Sequence, residues 1–471
     1  MTISHASNFS STLTAVDALL AFIDRRREVG VPTGDLSAFE TELREHLEAV
    51  GCAVTAEELA RYDIDLPEVV VEEQSYQRVL RCEDVYQSSF GTLRVERSLY
   101  RAEVDDKAIS PMELRAGLIE GHWTPMAAKQ ATFALTHLPG RHAAEMLKRV
   151  AMMSPSASSI ERIGKSVSAM WEDHRIAWEN AIREAEEIPD EAAQIAVSLD
   201  GVLVPMKDAN GPEKRNSAVK AGKQPSGPAG YREVGCATVS LYDADGKRLL
   251  TRRFGRMPQK NKRAVKAWIE GEVRQILAVV PGLRLTKVAD GAKDNWTFLS
   301  DELPDGAEIL DFYHASSHLS AALASAYGEG SGSYRRQYQR LRHKLRWEDD
   351  GIERVIRSLR YLQRKHPRRE KIETELKFFR RNRHRMAYAQ QAGDNGPIGS
   401  GVVEAACKTL ASMRMKGAGM RWGMDGGQTV LTFRGLIQSE RFDPAWERIR
   451  QHYVVDAKPP DGILILPRRA S

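Results

Sequence analysis

Cysteine is scarce in this chain: 471 residues hold four, Cys52, Cys82, Cys236 and Cys407, and no two stand in a Cys-x-x-Cys spacing. That excludes a zinc knuckle and a disulfide framework, and buried free thiols are expected instead. No uninterrupted apolar run approaches the roughly 18 residues that a bilayer span needs, so no membrane partner is expected. The start, Met1-Thr-Ile-Ser-His-Ala-Ser7, lacks the basic region and apolar stretch of an export signal, and the expected location is cytoplasmic. Two hydrolase signatures are missing as well. His314-Ala-Ser-Ser-His318 places histidines at i and i+4 without the glutamate that His-Glu-x-x-His uses as general base. Ile398-Gly-Ser-Gly-Val402 does not meet Gly-x-Ser-x-Gly. What is present is a globular composition, 42% hydrophobic and 28% charged, in a chain long enough for about three domains at roughly 150 residues each.

Charge is unevenly placed. Between Tyr334 and Arg385 there are 19 Lys and Arg against 7 Asp and Glu, whereas residues 1–80 hold 6 against 15. A surface of the first kind attracts a phosphate backbone, because neutralising phosphates releases condensed counterions. Tyr338, His343, Trp347, Tyr361 and His384 are interleaved there, as a nucleic-acid contact surface would have them; a solvated, salt-bridged helical face is the alternative.

Residues 11–50 read as two amphipathic helices, with Leu13, Val16, Leu19, Leu20 and Ile23 on one stripe, Leu36, Phe39, Leu43 and Leu47 on the other, and Gly30 and Pro32 between. This acidic hairpin is either a self-association surface or a helical pair packed on the rest of the chain. Alternation from Cys82 to Arg101 around Gly91 predicts a β-hairpin. Helices are expected over about Pro125 to Thr136, Arg141 to Met152 and Ser156 to Met170. Their short turns give helix-turn-helix spacing, with Arg162 and Lys165 facing outward on the third. Lys207 to Arg232, with four Gly, three Pro and six basic residues, reads as a mobile loop.

Three carboxylates carry the chemistry. Asp200 closes the apolar run Ile195-Ala-Val-Ser-Leu199, Asp290 closes Leu283-Arg-Leu-Thr-Lys-Val-Ala289, and Glu404 lies on an expected helix. Each Asp-Gly alone reads equally as an ordinary turn. Together they suit paired hard cations, because magnesium takes few carboxylates plus substrate phosphates, and two such ions activate a nucleophile and stabilise a leaving oxygen. Around them the expected order is β-β-β-α-β-α-β-α, then a long basic helical stretch and the Glu404 helix. Three antiparallel strands continued by parallel α/β units form a ribonuclease-H-like mixed α/β core. An inactive arrangement of the acids would leave a non-catalytic DNA-binding protein, and a structure-specific nuclease shares the same chemistry.

The runs Ser198-Leu-Asp-Gly201, Ala289-Asp-Gly-Ala-Lys-Asp-Asn-Trp296, Asp311-Phe-Tyr-His-Ala315, Gly399-Ser-Gly-Val-Val-Glu-Ala-Ala-Cys-Lys408 and Arg414-Met-Lys-Gly-Ala-Gly-Met-Arg-Trp422 resemble those of bacterial insertion-sequence transposases of the ISKra-four family, over roughly residues 80–440. The last two motifs are the specific ones. The resemblance implies a DDE transposase in which Asp200, Asp290 and Glu404 bind two Mg2+ ions, with Mn2+ as a substitute. Its partners would be double-stranded DNA, both transposon end repeats and target, and further copies of the chain as a homodimer or higher assembly on DNA. Asp311 and His314 are similar to an Asp-x-x-His element of related Mutator-like transposases, which implies a supporting role beside the DNA. The long separation of Asp290 from Glu404, 114 residues against 90 between the first two acids, resembles transposases with an all-α insertion before the final acid.

The organisation implied is multidomain. An acidic helical region spans 1–80, a β-hairpin with helix-turn-helix region 81–185, the first part of the core 186–326, a basic helical insertion 327–395, the last part of the core 396–440 and a tail 441–471. DNA contacts are expected from Arg162, Lys165, Arg342, Lys344, Arg346, Lys408, Arg414, Lys416 and Arg421, with Trp296 and Trp422 stacking on an unpaired base or buried. Lys408 is one helical turn beyond Glu404, so a simple pair between the two is its alternative role. Relatives often carry a cysteine-containing knuckle after the hairpin; Arg101-Ala-Glu-Val-Asp-Asp-Lys107 has no cysteine, which puts a zinc-stabilised module in doubt. The tail from Asp456 matches no known pattern, and a disordered end is expected there.

Overall fold

The structure is a computed structural model that describes residues 6–28, 35–103, 107–207, 216–217, 219–222 and 230–460. Most of the Gly- and Pro-rich segment, the turn at Gly30 and Pro32, residues 104–106 and the last eleven positions of the tail lie outside the described residues. The chain divides into two compact units, 1–178 with 443–471, and 179–442.

The first unit opens with two helices, α1 (Ala6–Glu28) and α2 (Leu36–Ala60). Asp35 starts the second by accepting the Ser37 N–H at 3.0 Å, which satisfies an orphan donor of the first turn. Phe22 is buried and stacks on Phe39 with ring centroids 5.5 Å apart, but Leu13 and Leu20 remain 54% and 52% exposed. A sheet follows, built from β1 (Glu68–Val71), β2 (Gln74–Ser88) and β3 (Gly91–Arg101), with the short strand Ala457–Lys458 pairing antiparallel to β1. The expected hairpin is there, longer than its alternating stretch, and closes at Ser88 opposite Gly91. Gly91 has φ +132, a backbone region that a side chain disfavours.

Helices α3 (Pro111–Arg115), α4 (Pro125–His137), α5 (Gly140–Val150) and α6 (Ala157–Ala185) complete this stretch. The last runs well past Met170, and it leaves Arg162 and Lys165 exposed as its pattern predicts. Residues Phe442–His452 form a further helix. The disordered end expected from Asp456 is corrected in its first residues, where Ala457 is buried in the sheet and closes the apolar cluster of Ile64, Val69, Val71 and Tyr100.

The second unit is a five-stranded sheet with helices. In chain order it runs β4 (Gln194–Pro205), β5 (Tyr231–Tyr242), β6 (Arg248–Arg256), α7 (Arg263–Val279), β7 (Arg284–Ala289), α8 (Lys293–Asp301), β8 (Ala307–Leu310) and α9 (Phe312–Tyr327). In space the order is β6-β5-β4-β7-β8, antiparallel across the first three strands and parallel across the last three. Helix α7 buries Val265, Ile269, Val273 and Ile276 in the same core as Val197, Leu199, Val239, Val288 and Ile309, an apolar face repeating at about 3.6 residues. Cys236 and Cys407 are buried free thiols in this unit, whereas Cys52 and Cys82 in the first are half-buried.

Four helices then carry the basic stretch: α10 (Gly332–Trp347), α11 (Gly351–Lys365), α12 (Glu370–Asn382) and the short α13 (Tyr388–Gly393). Ser331 starts α10 by accepting the Tyr334 N–H at 3.1 Å. Ser331→Ala removes that cap and is expected to cost about 1 kcal/mol, read as a fall in Tm of roughly 2–4 °C. Helix α14 (Gly401–Ala406) continues through a wider π-helical turn, Cys407–Ser412, into Met413–Met415, and α15 (Met424–Gln438) follows. No helix among the described residues is long and apolar enough to cross a membrane.

Candidate functional site

Parallel register brings the first two acids together. Ser198 of β4 stands opposite Val288 of β7, and two residues farther along each chain come Asp200 and Asp290. Beyond Ser198 the pairing of β4 with β7 ends, so both carboxylates sit where the sheet opens. Asp200 is inside β4, not at its end: the strand runs on to Pro205 with Gly201 opposite Gly235, and Asp200-Gly201 is no turn. The Gly201 N–H donates to Asp200 Oδ1 at 2.7 Å and Cys407 Sγ to Oδ2 at 3.7 Å. Burial pushes the Asp200 carboxyl above its ordinary range; the Gly201 N–H and Lys262 oppose this, and the neighbouring Asp290 adds to it.

Asp290 Oδ1 accepts the Ala292 N–H at 3.0 Å and Asn295 Nδ2 at 3.3 Å, while the same Asn295 amide donates to the Leu199 carbonyl at 3.2 Å. Asn295, 2% exposed, thus ties β4 beside Asp200 to Asp290 at the end of β7. The sequence reading missed it; its one signal was a polar residue on the inner face of α8.

The third acid arrives by a separate tie. Asp311 caps α9, its Oδ1 accepting the His314 N–H at 2.6 Å and its Oδ2 accepting both the N–H and the hydroxyl of Ser400. Phe312 N–H donates to the Ile398 carbonyl at 2.9 Å. Gly399 lies where a Cβ would stand 3.1 Å from the Tyr313 ring, so a side chain at this position would crowd that ring. From Ser400 the helix starts, and Glu404 is exposed on its first turn. Asp200, Asp290, Asp311, His314, Ser400 and Glu404 line one open cleft of about 320 Å3. No protein-family model and no curated protein matches the chain.

Carboxylate oxygens are the hard donors that magnesium prefers, and the second oxygens of Asp200 and Asp290 with both of Glu404 supply them, so the donor set fits in kind. Among the described residues, no three His, Cys, Asp or Glu groups close around one point. Asp311 has both oxygens committed, Oδ1 to the His314 backbone and Oδ2 to Ser400, so it holds the site in shape. His314 and His318 turn their Nε2 atoms toward each other at 3.1 Å.

The expected DNA contacts separate into two groups. Arg162, Lys165, Lys408, Lys416 and Arg421 are exposed. Arg342 and Arg346 instead lie over the Phe312 ring at 5.0 and 5.7 Å, and Lys344 pairs with Glu348 at 2.9 Å. The reason is that Leu341 and Leu345 set the buried face of α10, and positions 342 and 346 flank it. Arg357, Arg360 and Arg364 of α11 and Arg380 and Arg381 of α12 are among the exposed cations of these helices.

Arg414 is buried, with its guanidinium 5.0 Å from the Trp422 ring. Trp422 donates Nε1–H to the Met415 carbonyl at 2.9 Å and extends the end of β4 through the Pro205 and Lys207 backbone. Trp296 is 3% exposed, donates to the Asp290 carbonyl at 2.5 Å and lies under Arg385. Packing, not base stacking, occupies Trp296, and the ring of Trp422 is held by the same kind of ties. Among the described residues Glu404 makes no ion pair with Lys408, since the π turn from Cys407 departs from i, i+4 alignment.

Proposed function

We propose that this chain is a DDE transposase that binds the ends of an insertion sequence and catalyses metal-dependent DNA cleavage and strand transfer. The observation that carries the reading is the gathering of Asp200, Asp290 and Glu404, far apart in sequence, on one cleft. The sheet order, three antiparallel strands continued by two parallel ones, with a late helix supplying the last acid, supports a ribonuclease-H-like core. The motif resemblance to ISKra-four transposases supports the same assignment.

Asp200, Asp290 and Glu404 would hold Mg2+, or Mn2+ in its place, and the ions when bound supply nucleophile activation and leaving-oxygen stabilisation. Asn295 and Asp311 keep the acids in register. Exposed Lys408, Lys416 and Arg421 follow Glu404 in the chain and suit phosphates of the bound strand, while the exposed arginines of α11 and α12 suit duplex DNA farther out. Joining two element ends requires two copies, and exposed Leu13 and Leu20 on α1 suit a homodimer contact. Such a protein would work in the bacterial cytoplasm on the nucleoid.

The test is an assay of the purified chain with Mg2+ and duplexes from DNA flanking its own coding region. Expected are strand cleavage, joining to a target duplex, and a log K against log salt slope that falls by about 1 for each of Lys416→Ala and Arg421→Ala. Cleavage without joining would make it a structure-specific nuclease on the same fold. Binding without cleavage would make it a non-catalytic, transposase-derived DNA-binding protein, and neither would remove the reading altogether.

A further inference from the structure

Behind His314 the structure holds a chain of polar groups that the three-acid reading does not use. Glu375, on α12 and with its side chain 2% exposed, meets His318 Nδ1 through Oε2 at 2.5 Å and Lys371 Nζ through Oε1 at 2.7 Å. Burial pushes the Glu375 carboxyl upward, but the hydrogen bonds from His318 and Lys371 outweigh it and hold the group below its ordinary range. The His318 ring stacks on Phe378 with centroids 3.6 Å apart and planes 15° apart, which fixes its orientation. Its Nε2 stands 3.1 Å from His314 Nε2, and His314 lines the cleft.

An ionised carboxylate only accepts hydrogen bonds, so His318 Nδ1 carries a proton. With His318 neutral, its Nε2 is a lone pair and His314 Nε2 must donate. That leaves His314 Nδ1 as an acceptor, the one ring nitrogen not committed within the chain of groups. We infer that Glu375, His318 and His314 form a relay that takes up and returns one proton at the cleft, with His314 meeting the substrate and the other two as positioning residues.

In the forward step an attacking hydroxyl gives its proton to His314 Nδ1, and the Nε2 proton of His314 moves to His318 Nε2. The positive charge then rests on the ring bonded to Glu375. The reverse transfer delivers a proton to the departing 3′ oxygen, so atoms and charge balance without another reactant. The charged groups facing the pair are Glu375 and Lys371 on α12, Asp311 at the head of α9, and Asp200, Asp290 and Glu404 in the cleft. As catalysis this rests on the phosphoryl-transfer reading above; as a tautomer assignment it does not.

The test uses the full chain labelled with 15N-histidine, together with His318→Phe, which keeps a ring on Phe378, and Glu375→Gln, which keeps the shape and removes the charge. Long-range 1H–15N spectra of the wild type are expected to show His318 as the Nδ1–H and His314 as the Nε2–H tautomer, with His314 released in His318→Phe. Cleavage is expected to fall about 100-fold in His318→Phe, within the range for loss of a general acid or base. Assayed well below a Tm that falls because buried Glu375 loses a partner, its pH profile should lose a limb while DNA affinity holds, and adding Glu375→Gln should cost little more. Wild-type rate and pH profile in both variants, or a His314 Nδ1–H tautomer in the wild type, would overturn the relay. Should the wild type cleave no DNA at all, the transposase reading fails and the spectra alone decide the relay.

Discussion

Asp200→Asn is expected to abolish metal-dependent cleavage while making the metal-free protein slightly more stable. The loss should reach at least about 1000-fold, the scale on which removing a transition-state stabilising group acts. The stability gain follows from the carboxyl's raised pKa, caused first by burial and reinforced by Asp290. A folded-state pKa above the unfolded value means the folded protein holds that proton more tightly. The contribution to stability is then full below the ordinary carboxylate pKa and is lost as pH rises through the raised folded value. At neutral pH the ionised Asp200 is therefore a cost to folding, and asparagine removes it with little change in shape.

Thermal unfolding at pH 7.5 should show the variant higher in Tm by roughly 2 °C. The wild type, but not the variant, should gain Tm on acidification toward pH 5. Adding Mg2+ should reverse the order, because an ion that binds only the folded state stabilises it by mass action. A variant that still cleaves at the wild-type rate would remove Asp200 from the metal site.

Asp311→Ala is expected to cost about 3 kcal/mol, since one buried carboxylate caps α9 and satisfies two groups of Ser400, and each buried donor left alone is expensive. Asp311 is 2% exposed, so water does not readily replace it. That loss corresponds to a fall in Tm of roughly 6–12 °C. Because the Glu404 N–H bonds to the Ser400 carbonyl at 3.0 Å, freeing Ser400 also frees the start of the helix that carries the third acid. Cleavage measured well below both Tm values should fall about 100-fold, the effect of roughly 1 Å of misplacement. Ser400→Ala, which removes one of the three bonds, should show about a third of the stability loss. An Asp311→Ala protein with unchanged Tm would show that Asp311 does not hold this segment.

The strand and helix order of the second unit was legible because its signals are local. Alternation and the turn at Asp243 to Gly246 announce the β5–β6 hairpin, and the apolar period of α7 is plain in its residues. The acids were legible by type and placement, each in a short motif after an apolar run or on a helix. Their supports were not. Asn295 bonding to Leu199, Asp311 to Ser400 and Glu375 to His318 join residues 57 to 96 positions apart, and no local pattern encodes such a pairing. The same limit explains Arg342, Arg346 and Trp296: a basic or aromatic residue in a basic stretch or beside an acid looks available until the neighbouring helix is in place.

By itself the sequence determined which hydrophobic faces must be buried, in what order strands and helices follow, and which three carboxylates follow an apolar run or lie on a helix. Backbone periodicity is set within a few residues, so these needed no long-range information. Only the tertiary structure decided that Asp200 and Asp290 fall just past the last parallel pair of β4 and β7, that Glu404 is delivered to the same cleft through Ser400, and that Asp311 is spent on holding it there. Those outcomes depend on which buried donors find which acceptors once the core has closed, a choice made by packing and by the cost of leaving a buried polar group alone.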